Sequence, residues 1–145
     1  MESGWLTWNI PFREIYKLRM IKNLLLVGLG GGIGSMLRYA SSLLISSKIF
    51  PFATLFVNII GSFIIGAILA ISIKDEIFLT NWKLFIATGI CGGFTTFSAF
   101  SLENMLLLQY GYYGIAAFFI CSSILLVVIA AFLGYLLLIK NRWTQ

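Results

Sequence analysis

The chain has 145 residues, 60% of them hydrophobic and 10% charged, with a net charge of +5 and no histidine. A water-soluble domain is excluded, because its surface needs far more charge. Histidine-based metal binding and acid–base chemistry are excluded too. So is nucleic-acid binding, since the basic residues form no continuous face outside the first 22 residues. Apolar runs near the roughly 20 residues that cross a bilayer recur four times, so the expected class is an all-α integral membrane protein with four transmembrane helices.

Residues 1–22 form a polar and aromatic tail carrying Trp5, Trp8, Phe12 and Tyr16 among Arg13, Lys17, Arg19 and Lys22. It is too polar to span, and it suits a segment lying at the membrane interface. Pro11 argues against one long helix there. The tail lacks the cleavage pattern of a signal peptide, and Met20 is an alternative start. The membrane domain is expected over 23–140.

Span 1 is expected over about 23–47. Its glycines fit neither GxGxxG nor a P-loop. Gly28/Gly32 and Gly30/Gly34 are instead small-xxx-small pairs, which let helices approach closely in lipid. Arg38 lies inside this span and either snorkels to the interface or has a buried role. Span 2, about 52–73, follows Pro51. Asn58, Ser62, Gly66 and Ala70 recur every four residues and form a polar-to-small stripe on one face. An amide in hydrocarbon must find a partner, so Asn58 either ties helices together or faces a pore.

Span 3, about 82–110, opens at Trp82, an interfacial anchor. As one helix it would measure about 43 Å against a hydrocarbon core of about 30 Å. Gly89, Gly92 and Gly93 followed by Phe94-Thr95-Thr96 make poor helix, so a break is expected near its centre. Broken backbone in lipid is tolerated only where protein or a wet cavity satisfies it, which marks this stretch as the functional centre. Past the break, Phe94, Phe97 and Phe100 recur every three residues, interleaved with Thr95, Thr96, Ser98 and Ser101, and Glu103 follows. Span 4, about 115–139, carries the pair Ala130/Gly134. Cys91 and Cys121 lie in apolar segments without CxxC spacing and read as small hydrophobes.

No nucleophile–base pair can be assembled without histidine, so an enzyme is not expected. The polar residues within the spans are mostly hydroxyls, amides and aromatic rings. Such a lining suits a small anion that must shed water, because hydroxyls, amide N–H groups and the positive edges of aromatic rings all face it favourably. Carbonyls at a broken helix suit a cation.

Three stretches together resemble the CrcB/Fluc family of fluoride channels: Gly31-Gly32-Ile33-Gly34-Ser35-Met36-Leu37-Arg38-Tyr39, Thr54-Leu55-Phe56-Val57-Asn58-Ile59-Ile60-Gly61-Ser62-Phe63, and Gly89 through Ser101 with Glu103. The resemblance runs from about Met20 to Ile139. It implies an antiparallel dimer in the cell membrane with two narrow pores that export fluoride passively. Asn58, Phe97 and Phe100 would line the pore, with Thr96, Ser98, Ser101 and Glu103 on its polar side. Gly92 and Thr95 would give backbone carbonyls to a structural sodium ion (Na+) at the dimer centre. Arg38 would sit toward an aqueous vestibule. The chain departs from the family pattern at Ala53 and at Ala99, where a hydroxyl is missing.

Arg13, Lys17, Arg19, Lys22, Lys74, Lys83, Lys140 and Arg142 fall on one side of a four-span layout and Lys48 on the other. This bias places both termini in the cytoplasm. It also points to one fixed orientation, and so to pairing with an oppositely oriented paralogue. Rival readings are a small multidrug-type four-helix exporter and a non-transporting membrane assembly protein.

Overall fold

The computed structural model describes residues 12–45, 47, 49–73 and 81–140. Trp5, Trp8, Lys48, the loop with Lys74, and Arg142 lie outside the described residues. Four stretches are long and apolar enough to cross a membrane: Tyr16–Leu44, Phe52–Ser72, Lys83–Gln109 and Tyr113–Ile139.

Helix α1 runs over Phe12–Leu44, continuous through residue 22 and longer than the expected span. Pro11, which precedes it in the sequence, lies outside the described residues. Helix α2, Phe52–Ser72, follows Pro51. Its 21 residues give about 31 Å, close to the hydrocarbon thickness. The third span divides as expected. Its first half, α3, is a π-helix over Lys83–Cys91 that tightens into one α-turn over Gly92–Phe94. Its second half is α4, Phe97–Gln109. Helix α5, Tyr113–Lys140, closes the fold.

The break falls one step later than the glycines. Gly92 is helical, with φ −62° and ψ −37°. Thr95 and Thr96 are the extended residues, with ψ of 154° and 120°. The glycines serve close packing instead. A Cβ at Gly93 would collide with the carbonyl of Gly31, and one at Gly34 with the carbonyl of Ile90. Gly30 and Gly89 face each other in the same seam, where a Cβ on either would come 2.9 Å from the Cα of the other. Rising residue numbers on α1 meet rising numbers on α3, so these two helices are parallel neighbours.

α2 and α5 form the second tight pair and run parallel, since Phe50, just ahead of α2, lies beside Phe118 and Phe119 in the first turns of α5 and the later residues of the two helices meet in turn. Gly66 meets the Ala131 carbonyl, and Gly134 meets the Phe63 carbonyl. This places the Asn58–Ala70 stripe in the interior, with Gly66 buried and Ala70 only 1% exposed. Gly28 and Gly32 behave differently from Gly30 and Gly34: both look onto open space.

Gly34→Ala is therefore expected to destabilise the fold by about 1–3 kcal/mol through overpacking, whereas Gly28→Ala should not disturb the chain's own packing. Thermal unfolding of the two variants in detergent checks this; equal losses would mean the α1–α3 seam is misplaced.

Candidate functional site

The two extended threonines are held by a closed set of hydrogen bonds. Thr95 sends both its N–H and its hydroxyl back to the Cys91 carbonyl, at 2.9 and 2.8 Å, and so ends α3. Thr96 starts α4: its hydroxyl accepts from the Ala99 N–H at 3.2 Å, the usual N-cap arrangement. From α2, Asn58 pairs with the backbone of Thr96 on both sides. Its Oδ1 accepts the Thr96 N–H at 2.8 Å and its Nδ2 donates to the Thr96 carbonyl at 3.3 Å. Gly61, one turn on, makes room for the Thr95 methyl.

These bonds leave two carbonyls without their helical partners. In a continuous α-helix the N–H of residue i bonds the carbonyl of i−4, so Thr96 would serve Gly92 and Ala99 would serve Thr95. Both N–H groups are diverted, to Asn58 Oδ1 and Thr96 Oγ. Gly92 is exposed with open space beside it, and Thr95 is half-buried.

Two clefts lie at the break and a third follows along α4. The first, about 390 Å³, is lined by Asn58, Ser62, Thr96, Phe97, Phe100 and Ser123, with Thr95 and aliphatic side chains of α5 completing it. No charged side chain lines it. The second, about 250 Å³, holds Ser35, Arg38, Thr54, Thr96 and Glu103. The third, about 310 Å³, holds Glu103, Phe50, Tyr110 and Tyr112. Thr96 is a wall common to the first two and Glu103 a wall common to the last two.

Phe97 and Phe100 have ring centroids 5.6 Å apart. Phe97 is 80% exposed in the single chain. Phe100 is half-buried and continues into Phe119, at 5.1 Å, and so to Phe50, at 5.5 Å from Phe119. Thr54, itself buried, donates to Glu103 Oε1 at 2.7 Å. Glu103 Oε2 and Ser123 Oγ are buried and have no partner among the described residues. Ser98 contacts the Thr96 hydroxyl at 3.1 Å. Ser98 and Ser101 are exposed and line none of the three clefts.

The structure thus gathers Asn58, Thr95, Thr96, Phe97 and Phe100 at one cleft and sets Arg38 with Glu103 at the next. Sequence reasoning missed Ser123 and the role of Thr54. For Ser123 the available signal is a Ser-Ser pair inside an apolar span. For Thr54 nothing marks its distance to Glu103, 49 residues away in the chain.

Asn58→Leu leaves the Thr96 N–H and carbonyl unmet in a buried place, which costs at least about 2 kcal/mol. Asn58→Gln keeps both the acceptor and the donor for Thr96 and should lose less. Melting temperatures of both variants test the pairing; a Leu variant as stable as the parent would remove it.

The profile of the family described as "CrcB-like protein, Camphor Resistance (CrcB)" matches residues 25–135. The chain is 47% identical over 121 residues to the "Fluoride-specific ion channel FluC" of Azobacteroides pseudotrichonymphae genomovar. CFP2, covering 81% of this chain and 97% of that protein. It is 46% identical over 122 residues to the protein of the same name from Campylobacter jejuni subsp. jejuni, covering 81% and 98%. A Thermus thermophilus protein of that name is 46% identical over 114 residues, covering 77% and 90%. With a profile that takes in most of the chain and relatives matched almost end to end, this protein belongs to the CrcB family.

Proposed function

We propose that the chain is a fluoride-selective channel subunit of the cell membrane that lets cytoplasmic fluoride leave passively. One observation carries this reading: three neighbouring clefts, the first two sharing Thr96 and the last two Glu103 as a wall, lie in series from a helix break that Asn58 holds in place. The names of the relatives fit it, since they are ion channels and not enzymes.

The chemistry of each wall suits fluoride. Arg38, in the second cleft, draws an anion toward the site. The first cleft then replaces water with donors that bear no full charge: the Ser62 and Ser123 hydroxyls and the second N–H of Asn58, whose first N–H is engaged with Thr96. The paired Phe97 and Phe100 rings can turn positive edges to the ion. A small ion with a tightly held hydration shell needs dense, short donors, and hydroxyls and ring edges supply them without binding so tightly that the ion cannot leave.

We infer that the working unit is an antiparallel dimer. Phe97, Gly28, Gly32 and Gly92 all lie open in the single chain, as surfaces awaiting a second subunit would. The released carbonyls of Gly92 and Thr95 fit a structural Na+, whose role would be to bind two subunits electrostatically across the dimer axis. Two carbonyls are fewer than its coordination requires, so a second subunit would supply the rest. The charge bias of the loops supports termini in the cytoplasm and an oppositely oriented paralogue as the partner.

Liposomes loaded with fluoride and opened with a potassium ionophore test the function. The protein, alone or with its paralogue, should release fluoride and retain chloride; release of both ions, or of neither under both conditions, would overturn the reading. Phe97→Ile removes roughly 1.4 kcal/mol of edge stabilisation and should slow release about tenfold, with an unchanged elution volume in gel filtration. Gly92→Val has room within its own chain, so it should keep its helical circular dichroism yet elute as a monomer.

A further inference from the structure

We propose that the first turns of α1 form a cationic collar that binds anionic phospholipid headgroups. The position of these turns follows from the break. Thr95 packs against Gly61, midway along α2, whose length matches the bilayer core, so the break lies near the midplane. On α1, Gly34 lies against Ile90 and Phe94 at that depth. Counting back along the helix axis, Lys22 is about 18 Å away, Arg19 about 22 Å and Lys17 about 26 Å. The hydrocarbon ends about 15 Å from the midplane and the headgroup layer about 20–22 Å from it. Lys22 therefore falls within the headgroups, Arg19 at their outer edge, and Lys17 a few ångströms beyond, inside one Debye length.

The direction of the side chains completes the collar. At about 100° per residue, Arg19 and Lys22 share one side of the helix and Lys17 takes the opposite side. All three are exposed, as is Lys83 at the start of α3. Phe85 faces Gly30, so Lys83 lies on the Lys22 side of that contact. Between the cations stand Leu18, Met20 and Ile21, at 66, 58 and 43% exposure. A helix with aliphatic and basic side chains at this depth matches the boundary between headgroups and acyl chains. In the sequence of these turns four basic residues, Arg13, Lys17, Arg19 and Lys22, stand against one acid, Glu14. Lys17, Arg19 and Lys22 also precede the 25–135 stretch that the family profile matches.

The full chain in mixed micelles, titrated with phosphatidylglycerol or phosphatidylcholine and read by native mass spectrometry, tests this. The parent protein should retain phosphatidylglycerol at least about fivefold over phosphatidylcholine, and the variant with Lys17→Gln, Arg19→Gln and Lys22→Gln should lose that preference. Raising the salt to about 1 M shortens the Debye length to about 3 Å and should erase the preference of the parent as well, which gives a readout independent of how the variant folds. Equal retention of both lipids, a preference untouched by salt, or one kept by the triple variant would overturn the proposal. So would a change of oligomeric state in the triple variant without any change in lipid retention, which would make the collar a protein contact.

Discussion

Everything at the centre of this molecule depends on the pairing of one carboxamide with one peptide unit. Backbone N–H and C=O groups exposed in hydrocarbon are costly, so a helix cannot simply stop halfway across a membrane. Asn58 removes that cost by offering an acceptor to the Thr96 N–H and a donor to the Thr96 carbonyl. Thr95 and Thr96 satisfy the adjoining groups with their own hydroxyls. The extended pair can then persist at mid-membrane. The same hydrogen bonds that close the gap also release the Gly92 and Thr95 carbonyls, so satisfying one set of groups creates electronegative ends elsewhere.

The frame that carries this break is built from backbone contact rather than from interlocking large side chains. Hydrophobic burial drives little association within lipid, because the tails are as apolar as leucine. α1 meets α3 through Gly30, Gly31, Gly34, Gly89 and Gly93, and α2 meets α5 through Gly66 and Gly134. The widened winding of Lys83–Cys91 brings the Phe85 and Ile90 carbonyls up to the α1 glycines, where any side chain would intervene. Large apolar side chains such as Leu24, Leu29 and Leu137 are left to face the acyl chains. Two tight helix pairs result, and α4 hangs from the break between them. Phe97 and Phe100, on the first turn of α4, are thereby set beside Asn58 and Ser123.

Polarity is rationed along the clefts. The cleft at Phe97 and Phe100 has donors without charge, while Arg38 and Glu103 are kept to the neighbouring one. A full positive charge at the narrow site would hold an anion too firmly to let it move on, and one at the mouth only concentrates it. The Thr54 hydroxyl ties one oxygen of Glu103 in place and leaves the other at the wall between two clefts.

The sequence by itself determined the class, the four spans and the break. Hydropathy over about 20 residues is a local property, and so is the shortage of helix-forming residues from Gly89 to Thr96. It also exposed Asn58, since an amide is conspicuous among Phe, Val and Ile. It misread the glycines as the cause of the break, because a glycine that weakens a helix and one that admits a neighbouring helix look the same in one dimension. Only the tertiary structure separated Gly30/Gly34, which face α3, from Gly28/Gly32, which face open space. Only it set Ser123 beside Asn58 and Thr54 beside Glu103. Those meetings depend on the crossing of helices far apart in the chain, and no local pattern encodes which side of a helix another will cover.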